Sequence, residues 1–74
     1  MKKRELTAII ERDGDGYVSF CPELDIASQG KTIEEARDNL QEALELFFET
    51  ASESEMKERL HSEVLVTRLS VDVK

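Results

Sequence analysis

FCPELDIASQGKTIEEARDNLQEAL, residues 20–44, passes from a strand through a proline and a polar turn into an acidic helix. Pro22 removes a backbone donor and so ends the strand that arrives at Phe20-Cys21. ELDIASQG then holds a short strand around Ile26 to Gln29, and Gly30-Lys31 leads to Thr32. Thr32-Ile33-Glu34-Glu35 has capping-box spacing, in which the hydroxyl and the Glu35 carboxylate satisfy free backbone donors of the first turn. Both glutamates also complement the positive end of the helix dipole. From there Ile33, Ala36, Leu40, Ala43, Leu44, Phe47 and Ala51 recur at intervals of three and four, an apolar stripe on a helix that runs to about Thr50. An enzyme would place a nucleophile, a ligand pair or a phosphate loop at such a junction, and this one holds none of them.

Toward the N-terminus, RELTAIIER (residues 4–12) alternates as a strand, with Leu6, Ala8 and Ile10 on one face. Asp13-Gly14-Asp15-Gly16 is a hairpin signal, and YVSFC (17–21) is the return strand. The same aspartates resemble the start of a calcium-binding EF-hand loop. That loop needs an oxygen ligand where Tyr17 stands and a glutamate where Leu24 stands, so the segment reads as a turn. Toward the C-terminus, Ser52-Glu53-Ser54-Glu55 repeats the capping spacing, and Met56 and Leu60 lie four apart. Residues 53–60 therefore form either a short second helix or a fraying continuation of the first. Leu65, Thr67, Leu69, Val71 and Val73 alternate, which predicts a strand over residues 64–72. Following a helical crossover, it would pair parallel to an earlier strand. The expected order is β-β-β-α-(α)-β, with a helical layer on a sheet of about four strands, in a single α+β two-layer domain over residues 1–74.

With 74 residues, the chain is near the lower limit for a self-sufficient core. Cys21 is the sole cysteine and His61 the sole histidine, which excludes an internal disulfide and a structural zinc site. Association with another chain is the remaining reinforcement, so a homo-oligomer, a dimer or tetramer, is expected. Leu46 and Phe48 widen the helical stripe from an arc of about 100° to about 200°, more than one sheet layer covers. They are the expected oligomer contacts, with packing against the chain's own tail as the alternative. A lone cysteine fits a reducing cytosol. With no signal-peptide core and no membrane-spanning apolar run, the sequence reads as cytoplasmic, with no membrane partner.

The net charge of −7 is unevenly placed. Residues 32–60 hold nine acids and three bases, whereas residues 1–31 hold six and five. Such a helix repels phosphate backbones and attracts basic partners, and direct nucleic-acid binding is not expected without a basic stripe. A glutamate-rich face also keeps a small protein soluble, whatever it binds. Cys21 and His61 are the one nucleophile–base pair worth weighing. Cys21 ends a strand before proline and reads as a small buried apolar group, and His61 reads as an exposed connector residue. No catalytic residue, metal ligand or cofactor is expected.

Cys21-Pro22, Ser28-Gln29-Gly30, Thr32, Glu34-Glu35-Ala36 and Glu42-Ala43-Leu44, taken in that order after the DGDG hairpin, resemble the HicB-like antitoxin family over residues 5–50. VTRLSVDV resembles the closing strand of its short members. The resemblance implies a partly degraded ribonuclease H-like fold and a role in neutralising a small basic RNA-cleaving toxin of the HicA type by occluding it. Ribonuclease H enzymes hold a metal with a carboxylate midway along the first strand. Thr7-Ala8-Ile9-Ile10 stands there, so that catalysis is not implied. Glu34, Asp38, Glu45 and Glu49 are the expected toxin-binding residues, by charge complementarity. Members often carry Gly-Cys shortly after the proline, where this chain has Ile26-Ala27. Antitoxins that repress their own operon add a DNA-binding segment at the C-terminus, whereas this sequence ends at Lys74 after one strand, so a short form is expected. A solitary homo-oligomeric member that binds another ligand, and a residual nuclease, are the alternatives.

Overall fold

A computed structural model describes residues 4–61 and 63–74. Three strands, β1 (Ile9–Asp13), β2 (Gly16–Cys21) and β3 (Ile26–Gly30), form an antiparallel sheet in the order β1-β2-β3. Two helices follow, α1 (Ile33–Thr50) and α2 (Glu53–Arg59), and α1 lies over β3 and β2. The α+β class expected from the sequence is the class observed.

The hairpin turns on two residues, since Asp13 pairs with Gly16. Gly14 occupies the left-handed region at φ 61°, where a side chain would be strained. β1 begins at Ile9 and not at residue 4. Its ladder opposes Ile9 to Phe20, and past Cys21 the partner strand turns away at Pro22, leaving residues 4–8 without a backbone partner.

Helix α1 ends at Thr50, where the Ala51 amide donates to the Phe47 carbonyl at 2.8 Å. At its start Thr32 accepts from the Glu35 amide as expected. The Glu35 carboxylate, however, reaches back to the Lys31 amide at 2.9 Å, one residue beyond the position a capping box uses. α2 is a separate helix with a complete capping box between Ser52 and Glu55.

The closing strand expected over residues 64–72 is absent. Residues 63–74 carry no regular structure, and among the described residues the sheet has three strands, not four. A strand exists only through its ladder, and here the segment lies off the sheet edge, with Leu65, Leu69, Val71 and Val73 each more than 70% exposed.

Cys21, Leu24, Ala36 and Leu40 are fully buried, and Leu6, Ile26, Leu44, Phe47, Phe48 and Leu60 pack around the cluster that Cys21, Leu24 and Leu40 form. The helix sits unusually close to the sheet at its first turns. Ser19, wholly buried on β2, donates from Oγ to the Ala36 carbonyl at 2.8 Å. A Cβ on Gly30 would stand 2.5 Å from the Ala36 nitrogen and 2.8 Å from the Glu35 carbonyl carbon, so only glycine permits this seat. Because those neighbours are backbone, Gly30→Ala must push α1 off the sheet. The expected cost is about 1–3 kcal/mol, or roughly 4–8 °C of Tm per kcal/mol in a domain this small. A thermal melt checks it, and an unchanged Tm would mean that the seat is looser than described.

Candidate functional site

The outward face of α1 is built by the same periodicity that buries its inner face. Glu34, Asp38, Glu45 and Glu49 are all exposed. At 100° per residue they fall within an arc of about 60°, roughly opposite Ala36, Leu40 and Phe47, and extend over about 22 Å of helix. The four residues expected to meet a basic partner thus form one stripe. Asp38 pairs with Arg37 at 3.3 Å, with both side chains about three-fifths exposed, which leaves the pair weak and screened. Glu49 lies in the last turn, where no basic residue offsets the negative end of the dipole.

Leu46 and Phe48 are placed differently from each other. Leu46 is 59% exposed on the surface of α1. Phe48 is half buried against the chain's own core, edge-on to Phe47 at 5.3 Å between centroids, with the Arg4 guanidinium 5.8 Å over its ring.

The turn after Pro22 is the most connected part of the structure. Leu24 enters the core, and Asp25 takes a left-handed φ of 55° to return the chain into β3. The Glu23 carboxylate accepts from the Thr7 amide at 3.0 and 3.1 Å, from the Thr7 hydroxyl at 2.6 Å and from the Cys21 thiol at 3.4 Å. The Glu23 carbonyl accepts from the His61 amide at 2.8 Å, and the Leu24 carbonyl from Arg59 at 3.0 Å. Partial desolvation pulls the Glu23 carboxyl upward. The Thr7 hydroxyl and amide, followed by its own amide and the Cys21 thiol, outweigh that and hold it below the ordinary glutamate value. Burial, and after it the bond to Glu23, push the Cys21 thiol upward, so it is a poor nucleophile. His61 lies away from Cys21, its Nε2 3.1 Å from Asp25. Sequence reasoning missed the role of Glu23. The available signal was an acid placed between Cys21-Pro22 and a leucine that the core needs.

Two shallow grooves accompany these features. One, about 470 Å³, lies beside the start of α1 and is lined by Asp13, Tyr17, Gln29, Lys31, Glu35 and Asn39 among others. Arg12 stacks on Tyr17 at 4.9 Å and donates to its hydroxyl at 2.8 Å. The other, about 330 Å³, is lined by Arg4, Glu5, Leu6, Glu23, Leu60, His61, Glu63 and Val64. Among the described residues no group of three or more His, Cys, Asp or Glu side chains is arranged to hold a metal ion, and no helix is long and apolar enough to cross a membrane.

A UPF0150 protein of Helicobacter pylori is 49% identical over 43 residues, covering 57% of this chain and 60% of that protein, less than two thirds of its length. Two UPF0150 proteins of Synechocystis sp. are similar as well. One is 45% identical over 51 residues, 66% of this chain and 74% of the relative. The other is 51% identical over 49 residues, 64% of this chain and 68% of the relative. No protein-family model matches the sequence, and no solved structure matches the chain.

Glu23→Gln keeps the shape of the side chain and removes its charge. It is expected to cost about 1–2 kcal/mol at pH 7. A depressed carboxylate contributes fully above the ordinary glutamate value and loses its contribution as pH falls through its lower folded value. Urea unfolding should therefore show the gap between variant and native chain narrowing below about pH 4. A gap that persists at pH 3 would assign the loss to packing.

Proposed function

The chain belongs to the UPF0150 family, and for this member we propose an antitoxin-like role in which the exposed acidic stripe of α1 binds a small basic RNA-cleaving protein of the HicA type and occludes its RNA site. The observation that carries this reading is the stripe itself, Glu34, Asp38, Glu45 and Glu49 aligned over a rigid helix. Carboxylates in this array present a complementary field to a surface evolved to hold phosphates. The likeness of residues 5–50 to HicB-like antitoxins supports the same partner and, with it, the partly degraded ribonuclease H-like reading of the fold. No bond is made or broken by the protein itself, which acts by steric and electrostatic cover.

Helix physics adds a second support. Glu49 works against the dipole at the C-terminal end of α1, so its acidity does not serve the helix. Glu49→Lys should stabilise the fold by about 0.3–1 kcal/mol while weakening partner binding. A merely solubilising glutamate would not show that opposition. The decisive experiment is a pull-down of the tagged protein from its host lysate at low and high salt, with the native chain and with a variant reversed at Asp38, Glu45 and Glu49. The expected result is a small basic protein retained by the native chain at low salt, lost with the variant, and able to cleave RNA once freed. With the purified pair, the variant's association should be slower by about tenfold or more at low salt, the difference fading as salt rises. Equal retention by both forms, or an RNA-cleaving activity in the isolated protein with magnesium, would overturn the reading.

A further inference from the structure

We propose that residues 64–72 of one copy form the fourth strand on the open β1 edge of a second copy, in a reciprocal two-fold exchange. The exchange involves the sheet edge and the tail and does not depend on the partner of α1.

The two edges of the sheet differ. On β3, the Gln29 carbonyl accepts from the Asn39 side chain at 2.8 Å, and α1 follows within three residues and lies over the strand. On β1, among the described residues, no strand lies outside Ile9–Asp13 and no other backbone group bonds to it. An uncovered edge of this kind is a template for another strand. α1 lies chiefly over β2 and β3, and on the β1 side Leu6, Ile10 and Phe48 remain only half buried. The molecule therefore lacks both a ladder partner and an apolar cover in the same place.

The tail supplies both. Leu65, Leu69, Val71 and Val73 alternate along it at 84%, 83%, 73% and 86% exposure. Residues 64–72 in strand form measure about 30 Å, the length of β1 together with the four residues before it. The tail leaves the body at the end of the sheet where β1 begins, since Val64 lines a groove with Arg4, Glu5 and Leu6. It nevertheless does not close on its own edge. The chain is pinned at His61 by its amide on the Glu23 carbonyl and its ring on Asp25, and from Leu65 onward the side chains are exposed. The chain measures 48 Å along its longest axis against 28 and 18 Å across. A chain held at His61 and an outward, unpaired tail favour exchange between identical chains, which closes under two-fold symmetry. Two such contacts bring together Leu65, Leu69 and Val71 of both tails and the half-buried rims of both copies, six large apolar residues that are exposed in the single chain.

The test uses the full chain and Leu69→Asp, a position that is exposed in the single chain and whose change leaves its core intact. Light scattering at micromolar concentration should give the native chain a mass twice its 8.4 kDa and Leu69→Asp the single mass with an unchanged circular dichroism spectrum. Hydrogen exchange should show amides of residues 64–72 and of β1 protected in the native chain and both exposed in the variant. Contacts between tail and β1 should appear across differently labelled copies. A monomer with protected tail amides would mean closure on its own edge, and a monomer with unprotected ones would mean a free tail. A dimer that survives Leu69→Asp would place the interface elsewhere, at Leu46 for example. Any of these three overturns the proposal.

Discussion

The Glu23 carboxylate, held between the Thr7 amide and hydroxyl and the Cys21 thiol, joins segments that the local rules of strand and helix cannot bring together. It ties the residues before β1 to the end of β2. Its own carbonyl receives the His61 amide, and its neighbour Leu24 enters the core and receives Arg59 on its carbonyl. With so few fully buried side chains, the fold relies on a polar hub at a proline-induced break in the ladder. The tight junction after Pro22 thus fastens the helical layer and both flanking segments to one end of the sheet.

At the other end the constraint is steric. Gly30 and Ser19 let the first turns of α1 sit on β2 and β3, and that seat fixes the rotation of the helix about its axis. Once Ala36 and Leu40 face inward, the 3.6-residue period leaves Glu34, Asp38, Glu45 and Glu49 facing outward together. The acidic stripe is thus a consequence of small residues beneath the helix as much as of the glutamates on it.

What was legible in the sequence was local. The hairpin was written in Gly14 and the start of α1 in Thr32, because each depends on neighbours within a few residues, whereas the Ser52–Glu55 spacing left α2 open between a separate helix and a continuation of the first. RELTAIIER alternates loosely and Leu65–Val73 more regularly, yet β1 starts late and the tail forms no strand. Alternation records which face a strand would bury and says nothing about whether a partner edge is present. The aligned acids of the candidate site were readable from helical periodicity. The Glu23 hub was not, because Thr7 and His61 reach it from distant parts of the chain.

Cys21 has a further consequence. It is the chain's only thiol, it is wholly enclosed, and it donates to the carboxylate of the hub. A thiol reagent reaches it only when the packing around the Cys21, Leu24 and Leu40 cluster opens. The rate of its labelling is therefore a clock for the local opening of that cluster, readable in the native protein without denaturant.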